Sequence, residues 1–312
     1  MKIRFCQKGD YQNLASFLNL HWGNHILANN PKFFQWQHNG TDERDYDFVI
    51  AEENGEIHGC LGFISTKRYD SNLTSNNTIW LTNWIVTNSS SGFLGLQILS
   101  FLTGNVDHQF IGTVGNNREV EKIYSSLGYN TGKMSHYFRL NPSKKELNLA
   151  NVPIKIPSKK SKSDDFRSIL KRIYLSEIEK LYDFFKIDDG SPGFPRKSVN
   201  YIINRYLKHP IYEYKIFSLT RLEEFYGLVV TRECSYRESK ALRVIDILMF
   251  NEKGWEDLGL LFEDLSISKN YEYVDLYIFG LPEEIINKTG FIELNDEIKS
   301  QGVIIPNYFE PF

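Results

Sequence analysis

Asn116-Asn-Arg-Glu-Val-Glu-Lys-Ile-Tyr-Ser-Ser-Leu-Gly-Tyr129 is the stretch on which the reading of this chain turns. Val120, Ile123, Tyr124 and Leu127 recur at spacings of three and four, which puts them on one face of a helix closed by Gly128. An apolar run at 110–114 precedes it as a strand. Some thirty residues upstream the same order occurs: a strand over 78–87, a polar turn, and an almost wholly apolar helix over 93–102. Free backbone N–H groups and the helix dipole at such a turn favour a phosphate. Gly92 and Gly95 let the backbone come close to a diphosphate.

The pattern Asn117, Val120, Tyr124, Leu127, Gly128, Tyr129 resembles the closing motif of the GNAT acyltransferases: an Asn, a small residue, then Tyr-x-x-Leu-Gly-aromatic. The resemblance extends over residues 1–140, where the element order and the place of the turn also match. It implies an acyl-coenzyme A as co-substrate, acetyl-CoA or a hydroxyacyl-CoA, and no metal. By that resemblance Ser90, Ser91, Gly92, Phe93, Leu94, Gly95 and Leu96 cradle the pyrophosphate, and the backbone of Ile85 and Val86 pairs with the pantetheine arm. Asn117 contacts the same arm, and Tyr124 is the general acid that protonates the departing thiolate. A phenol with a pKa near 10 can give a proton to a leaving sulfur without being ionised at neutral pH.

Two features depart from the family. Its loop usually begins with Arg or Gln and has one more residue than Ser91-Gly-Phe-Leu-Gly95, so here the phosphates depend on backbone and hydroxyl donors. Where its fourth strand often carries a Glu, this chain has Thr82 and Asn83, neither of which is a base.

An acceptor amine must lose a proton during attack, and His is the side chain that titrates near neutrality. His25 and His136 are the candidates for this role, beside His21 and His38; each is also readable as a packed or surface histidine. Trp22, His25, Trp36, Asn83 and Arg205 are candidate acceptor contacts. The aromatic group Trp22, Phe33, Phe34 and Trp36 has helical spacing, which core packing explains as well as stacking on a sugar or base does.

Before these motifs, 3–7 reads as a strand, 11–22 and 31–38 as helices, and 46–52 with 57–67 as a hairpin about Asn54-Gly55. Residues 141–165 carry Pro142, Pro153 and Pro157 among Lys and Ser, including the run Lys159, Lys160 and Lys162, and read as a linker. The expected division is therefore a catalytic domain at 1–140, a linker at 141–165 and a second domain at 166–312. Helices at 175–185 and 198–207, strands at 214–218, 226–231 and 242–250, a helix at 258–268 and a strand at 273–279 repeat the first order. Gly59 to Gly128 and Gly227 to Gly290 give similar spacings, 69 and 63. The fold class is thus α/β (α+β), with two tandem GNAT-like domains, each a mixed, mostly antiparallel sheet flanked by helices. The second lacks the reactive parts: Glu252, Glu256 and Asp257 would repel a pyrophosphate, and Ile286 stands where the first half has Tyr124. It is expected to form an acceptor-binding wall.

A net charge of −3 and a pI near 6.2 speak against a nucleic-acid partner. Three distant cysteines form neither a disulfide framework nor a zinc spacing. Without a signal-like start or a long apolar run, the expectation is a cytoplasmic chain with no membrane insertion. Tandem chains of this type resemble GNAT enzymes that acylate nucleotide-linked amino sugars in bacterial surface-polysaccharide biosynthesis. That resemblance implies a dTDP- or UDP-linked aminodeoxysugar as acceptor, acylated on nitrogen in a ternary complex. The alternatives are a tandem aminoacyl transferase using charged tRNA, against which the acidic balance and Ile286 count, and a non-catalytic binder of acyl-CoA or sugar nucleotides.

Overall fold

The computed structural model describes residues 1–87, 92–156, 168–185 and 195–306. Contacts divide the chain into two units: Met1–Ile123 with Ile178–Ile211, and Tyr124–Glu177 with Tyr212–Phe312.

In the first unit, β1 (Lys2–Phe5), β2 (Phe48–Glu53), β3 (Glu56–Ser65), β4 (Thr78–Val86) and β5 (Phe110–Gly112) lie side by side in chain order. The first four are antiparallel, and β5 runs parallel to β4. Asn54 (φ 53°) and Gly55 (φ 84°) make the β2–β3 turn, the paired positive dihedrals that an Asn-Gly hairpin allows. Three helices follow β1: α1 (Tyr11–Trp22), α2 (Ile26–Asn29) and α3 (Pro31–His38). α3 starts at a proline, and Asn30 Oδ1 accepts the Phe33 amide at 3.0 Å. Leu14, Phe17 and Leu18 of α1 and Phe33 and Phe34 of α3 share a core with Phe48, Ile50 and Cys60 of the sheet. α4 (Leu94–Asn105) takes the opposite face, since a Cβ on Gly59, the strand neighbour of Cys60, would meet Ile98 at 2.9 Å.

α5 (Arg118–Ser126) begins in the first unit and ends in the second. The amide of Gly128 bonds Ser125 O and that of Tyr129 bonds Tyr124 O, both at 3.0 Å, with Gly128 at φ 84°. This is the left-handed stop that Leu-Gly-aromatic encodes, and it brings the rings of Tyr124 and Tyr129 edge-on at 5.7 Å.

The second unit begins its own strands with β6 (Ser135–Leu140) and β7 (Ile169–Ile173). Two short helices, α6 (Leu175–Ile178) and α7 (Val199–Ile202), come next in the chain. β8 (Tyr214–Arg221), β9 (Glu224–Tyr236), β10 (Ser239–Met249), α8 (Gly254–Lys269), β11 (Tyr273–Ile278), α9 (Glu283–Thr289), β12 (Ile292–Glu293) and α10 (Asp296–Ser300) complete it. Its sheet has the order β12-β6-β11-β10-β9-β8-β7. The first unit's plan recurs here: antiparallel strands, a helix, then β11 parallel to β10 over three residues, as β5 is to β4. The equivalent strand also carries a bulge in each unit, in β4 between its partners Cys60 and Gly62 and in β10 between Val244 and Asp246.

Several expectations need correction. Ser135–Leu140 falls within the domain expected at 1–140, but as β6 it pairs with β11 and β12 in the second sheet. Arg139 ties it there, to Glu263 and to the Gly290 carbonyl at 2.9 Å. Residues 141–156 of the expected linker are tied to the second unit's core at several points: Leu149 and Ala150 join a core with Phe138 and Tyr273, and the Glu272 carboxylate accepts the Asn148 and Leu149 amides. Residues 178–211, placed by sequence in the second domain, belong to the first unit, where Ser198 Oγ bonds Asp70 at 2.5 Å and Asn204 bonds Tyr69 O at 2.6 Å. The helix expected at 175–185 is only one α turn followed by a 3-10 stretch, Glu179–Phe185, and β7 was not anticipated. Lys159, Lys160 and Lys162 lie outside the described residues. Among the described residues, no helix is long and apolar enough to cross a membrane, and no group of three or more His, Cys, Asp or Glu could hold a metal ion.

Candidate active site

β4 spans nine residues, but only Thr78, Ile79 and Trp80 pair with β5. Ile85 and Val86 pair with Cys60 and Gly59 on the β3 side. The bulge falls at Asn83, whose φ of 51° turns the backbone out of the regular pleat, and Cys60 Sγ lies 3.5 Å from the Asn83 carbonyl oxygen.

Three of the candidate acceptor contacts meet at this bulge. Asn83 Nδ2 is 3.1 Å from His25 Nε2, and the rings of Trp22 and His25 are 5.2 Å apart. The Leu27 amide, 3.3 Å from His25 Nδ1, can only donate. Nδ1 therefore holds the lone pair and Nε2 the proton, which the carboxamide of Asn83 receives through its oxygen after a half-turn of that group. His25 thus acts first as the cap of α2 and the anchor of Asn83.

Beyond β4, Ser90 and Ser91 lie outside the described residues, and a Cβ on Gly92 would meet nothing within 4 Å among the described residues. Phe93 is the N-cap of α4 and offers no side-chain cap; the first turn carries no acidic residue. Leu94 is buried, and Gly95 sits against the Trp84 indole, where a Cβ would come to 3.3 Å. The first-turn amides, those of Leu94, Gly95 and Leu96, have no partner within the helix. α8 in the second unit differs: Glu256 and Asp257 occupy its first turn, and Asp257 accepts the Ser168 amide and hydroxyl.

Asn117 accepts the Val120 amide at 2.9 Å through Oδ1 and so caps α5. Tyr124 is 4% exposed, while Leu127, expected on the same buried face, is 49% exposed. Burial, with Tyr129 adding to it, holds the Tyr124 phenol well above its usual range. His136 lies in the second unit's sheet, buried, with Nε2 2.8 Å from Asp275 and its ring stacked on Tyr277 at 4.1 Å. Trp36 and Arg205 are brought together: the guanidinium is 5.4 Å from the Trp36 ring and 5.7 Å from that of Tyr69. Sequence reasoning missed Tyr69, whose signal was only a tyrosine in a polar stretch.

All three cysteines are free and buried. Burial raises the Cys6 thiol to about 12 and pushes Cys60 and Cys234 upward too, so none is poised as a thiolate nucleophile.

His38 is fully buried: Nδ1 is 3.0 Å from the Phe63 carbonyl and Nε2 3.0 Å from Gln37 Nε2, which makes it a neutral core residue. Burial lowers its pKa to about 3. The unfolded chain, with an imidazole near 6.5, takes the proton first. Stability from His38 is therefore present above about pH 6.5 and lost as pH falls toward 3. Asp47, which burial raises to about 6, acts in the opposite sense as pH falls from about 6 to 3.8. Comparison with His38→Gln isolates the histidine: the wild type's advantage narrows by about 1.4 kcal/mol per unit between pH 6.5 and 4 in urea melts. A constant advantage would mean that His38 titrates normally.

Four antiparallel strands, a helix and a fifth strand parallel only to the start of the fourth form the GNAT fold that the closing motif implied. No family model matches the sequence, and no curated protein matches it significantly. Solved structures do match. A GCN5-related N-acetyltransferase from Anabaena variabilis superposes with a TM-score of 0.58 at 10% identity, over 94% of this chain and 70% of that one. A conserved protein of unknown function from Enterococcus faecalis gives 0.59 at 10% identity, and Eis1 from Mycobacterium abscessus gives 0.51 at 13%, with the same shares of each chain. At such identities the likeness establishes the fold.

Proposed function

We propose that the chain is an N-acyltransferase, taking an acetyl or hydroxyacyl group from coenzyme A and passing it to the amino group of a nucleotide-linked aminodeoxysugar. The observation that carries the reading is β4 itself, which β5 accompanies only at Thr78, Ile79 and Trp80 and which runs on past its bulge toward a helix N-terminus free of acidic residues. A strand edge offers N–H and C=O groups in the register that an extended chain of amides completes, and the pantetheine arm is such a chain. Ile85 and Val86 supply that register, and the amides from Gly92 to Leu96, with Ser90 and Ser91, take the pyrophosphate. Asn117, the α5 cap, lies along the same arm.

Trp22, His25 and Asn83 hold the acceptor at the bulge; with its own proton on Nε2, His25 takes the amine proton at Nδ1, in place of the hydrogen bond from the Leu27 amide. Tyr124 then gives its proton to the departing sulfur. The raised thiol pKa values of Cys6 and Cys60 support direct transfer, with no acyl-enzyme. His136 is assigned to holding Asp275, and the second unit to no coenzyme chemistry, because Glu256 and Asp257 in the first turn of α8 would repel a pyrophosphate.

A matrix of acyl-CoAs against UDP- and dTDP-linked amino sugars, scored by free thiol and product mass, tests this. Thiol release that requires both partners is expected. Binding of acyl-CoA with no thiol released under any pairing would instead mark a binding module.

A further inference from the structure

The second unit holds a buried polar group for which acyl transfer has no use. Asp275 on β11 accepts Arg243 Nη2 at 2.7 Å and lies 2.8 Å from His136 Nε2 through the same oxygen, and its other oxygen accepts Arg243 Nε at 3.2 Å. Its side chain is only 1% exposed. In the uncharged imidazole of His136 the single proton is on Nε2, because a carboxylate can only accept, and the lone pair stands on Nδ1.

That nitrogen makes no hydrogen bond among the described residues, yet it is not one of the unpaired polar atoms sealed from solvent. The ring borders a cleft of about 730 Å3 in the second unit. Tyr277, its neighbour across the β6–β11 ladder, stacks on it at 4.1 Å and so fixes the plane in which the lone pair points. A carboxylate behind an imidazole sets its tautomer and makes the free nitrogen a better acceptor, which is how a histidine is held toward a ligand rather than into a core.

The rest of the lining narrows what the ligand can be. Met134 and Ile304 are exposed and, with the Tyr277 ring, give the cleft apolar walls. Asp296 and Lys299 pair with each other at 3.9 Å. The Glu293 side chain falls opposite Tyr137 in the β12–β6 ladder, on the other sheet face from His136. Lys133 is left as the cleft's cation with no ion pair among the described residues. A nearly buried acceptor, apolar walls and an exposed ammonium suit a small molecule with a hydroxyl at one end, an apolar body and an anion at the other. Among hydroxyls a phenol, with a pKa near 10, is the stronger donor, and its ring matches the walls. We propose that this cleft binds a phenolic carboxylic acid, its hydroxyl donating to His136 Nδ1 and its carboxylate meeting Lys133. The site stands within the second unit and does not depend on the acyl-transfer reading.

Calorimetric titration of the full chain with p-hydroxyphenylacetate, p-methoxyphenylacetate and p-cresol tests it. The first is expected to bind. The methoxy compound, which has no proton to donate, binds about tenfold more weakly, and p-cresol, which lacks the carboxylate, about three- to fivefold more weakly. Lys133→Ala, a change at an exposed side chain, brings p-hydroxyphenylacetate down to the level of p-cresol and leaves p-cresol unchanged. His136→Gln disturbs Asp275 as well, so the histidine is read in the wild type by carbethoxylation with diethyl pyrocarbonate, which needs an open, unprotonated ring nitrogen. Peptide mass mapping is expected to find His136 modified, His38 spared, and His136 protected by p-hydroxyphenylacetate. A methoxy compound that binds as tightly as the phenol, no binding of p-hydroxyphenylacetate at millimolar concentration, or a His136 that the reagent leaves untouched would overturn the proposal.

Discussion

Tyr124→Phe lowers kcat for thiol release from an acyl-CoA by about 10²- to 10⁴-fold, the range a positioned general acid supplies, and changes KM for the acyl donor by less than about threefold. The substitution removes one oxygen and leaves a ring whose site is fixed by the left-handed stop at Gly128 and by Tyr129. A residue that served only to pack α5 would lose little activity on this change. The pH profile separates the roles further. Burial holds the Tyr124 phenol above its usual range, so the wild type keeps its proton donor beyond pH 10 and shows no alkaline loss from this group. In the Phe variant the residual rate depends on solvent to protonate the thiolate. Steady-state assays from pH 6 to 10 check both statements, and equal rates at every pH would remove Tyr124 from the chemistry.

Gly259→Ala has the largest expected effect on stability. Gly259 lies in α8 where that helix meets the end of α9, and a Cβ there would stand 1.6 Å from the backbone oxygen of Thr289. Backbone cannot rotate aside as a side-chain tip does, so the two helices must separate, opening the contacts around Ile286 and the Arg139 bond to Gly290 O. Overpacking of this kind costs about 3 kcal/mol or more, roughly 10 °C in the melting temperature. Differential scanning calorimetry reads this directly. An alanine variant that melts with the wild type would mean that α8 and α9 are not held this close.

Some of these features were legible before any coordinates. Asn54-Gly55 announced its hairpin because few dipeptides take two positive φ values, and Leu127-Gly128-Tyr129 announced a helix end for the same reason. The strands of the first sheet and the apolar α4 followed from periodicity. What periodicity cannot report is the partner. Ser135–Leu140 alternates in the same way whichever sheet receives it, so its place beside β11 was hidden, and with it the division between the units. Tyr201 and Arg205 read as an amphipathic turn, but nothing in their spacing says that they pack on Tyr69 and Trp36, 130 and more residues earlier. His38 and His25 looked alike as histidines. One is a neutral core residue and the other reaches the β4 bulge, a difference made by which carbonyl or carboxamide stands opposite.

The most direct test is a crystal structure of the chain with coenzyme A. Pantetheine amides bonded to the backbone at Ile85 and Val86, with the pyrophosphate on the amides that open α4, is the predicted result. A well-occupied coenzyme bound elsewhere, with the 81–86 edge of β4 bare, would contradict it.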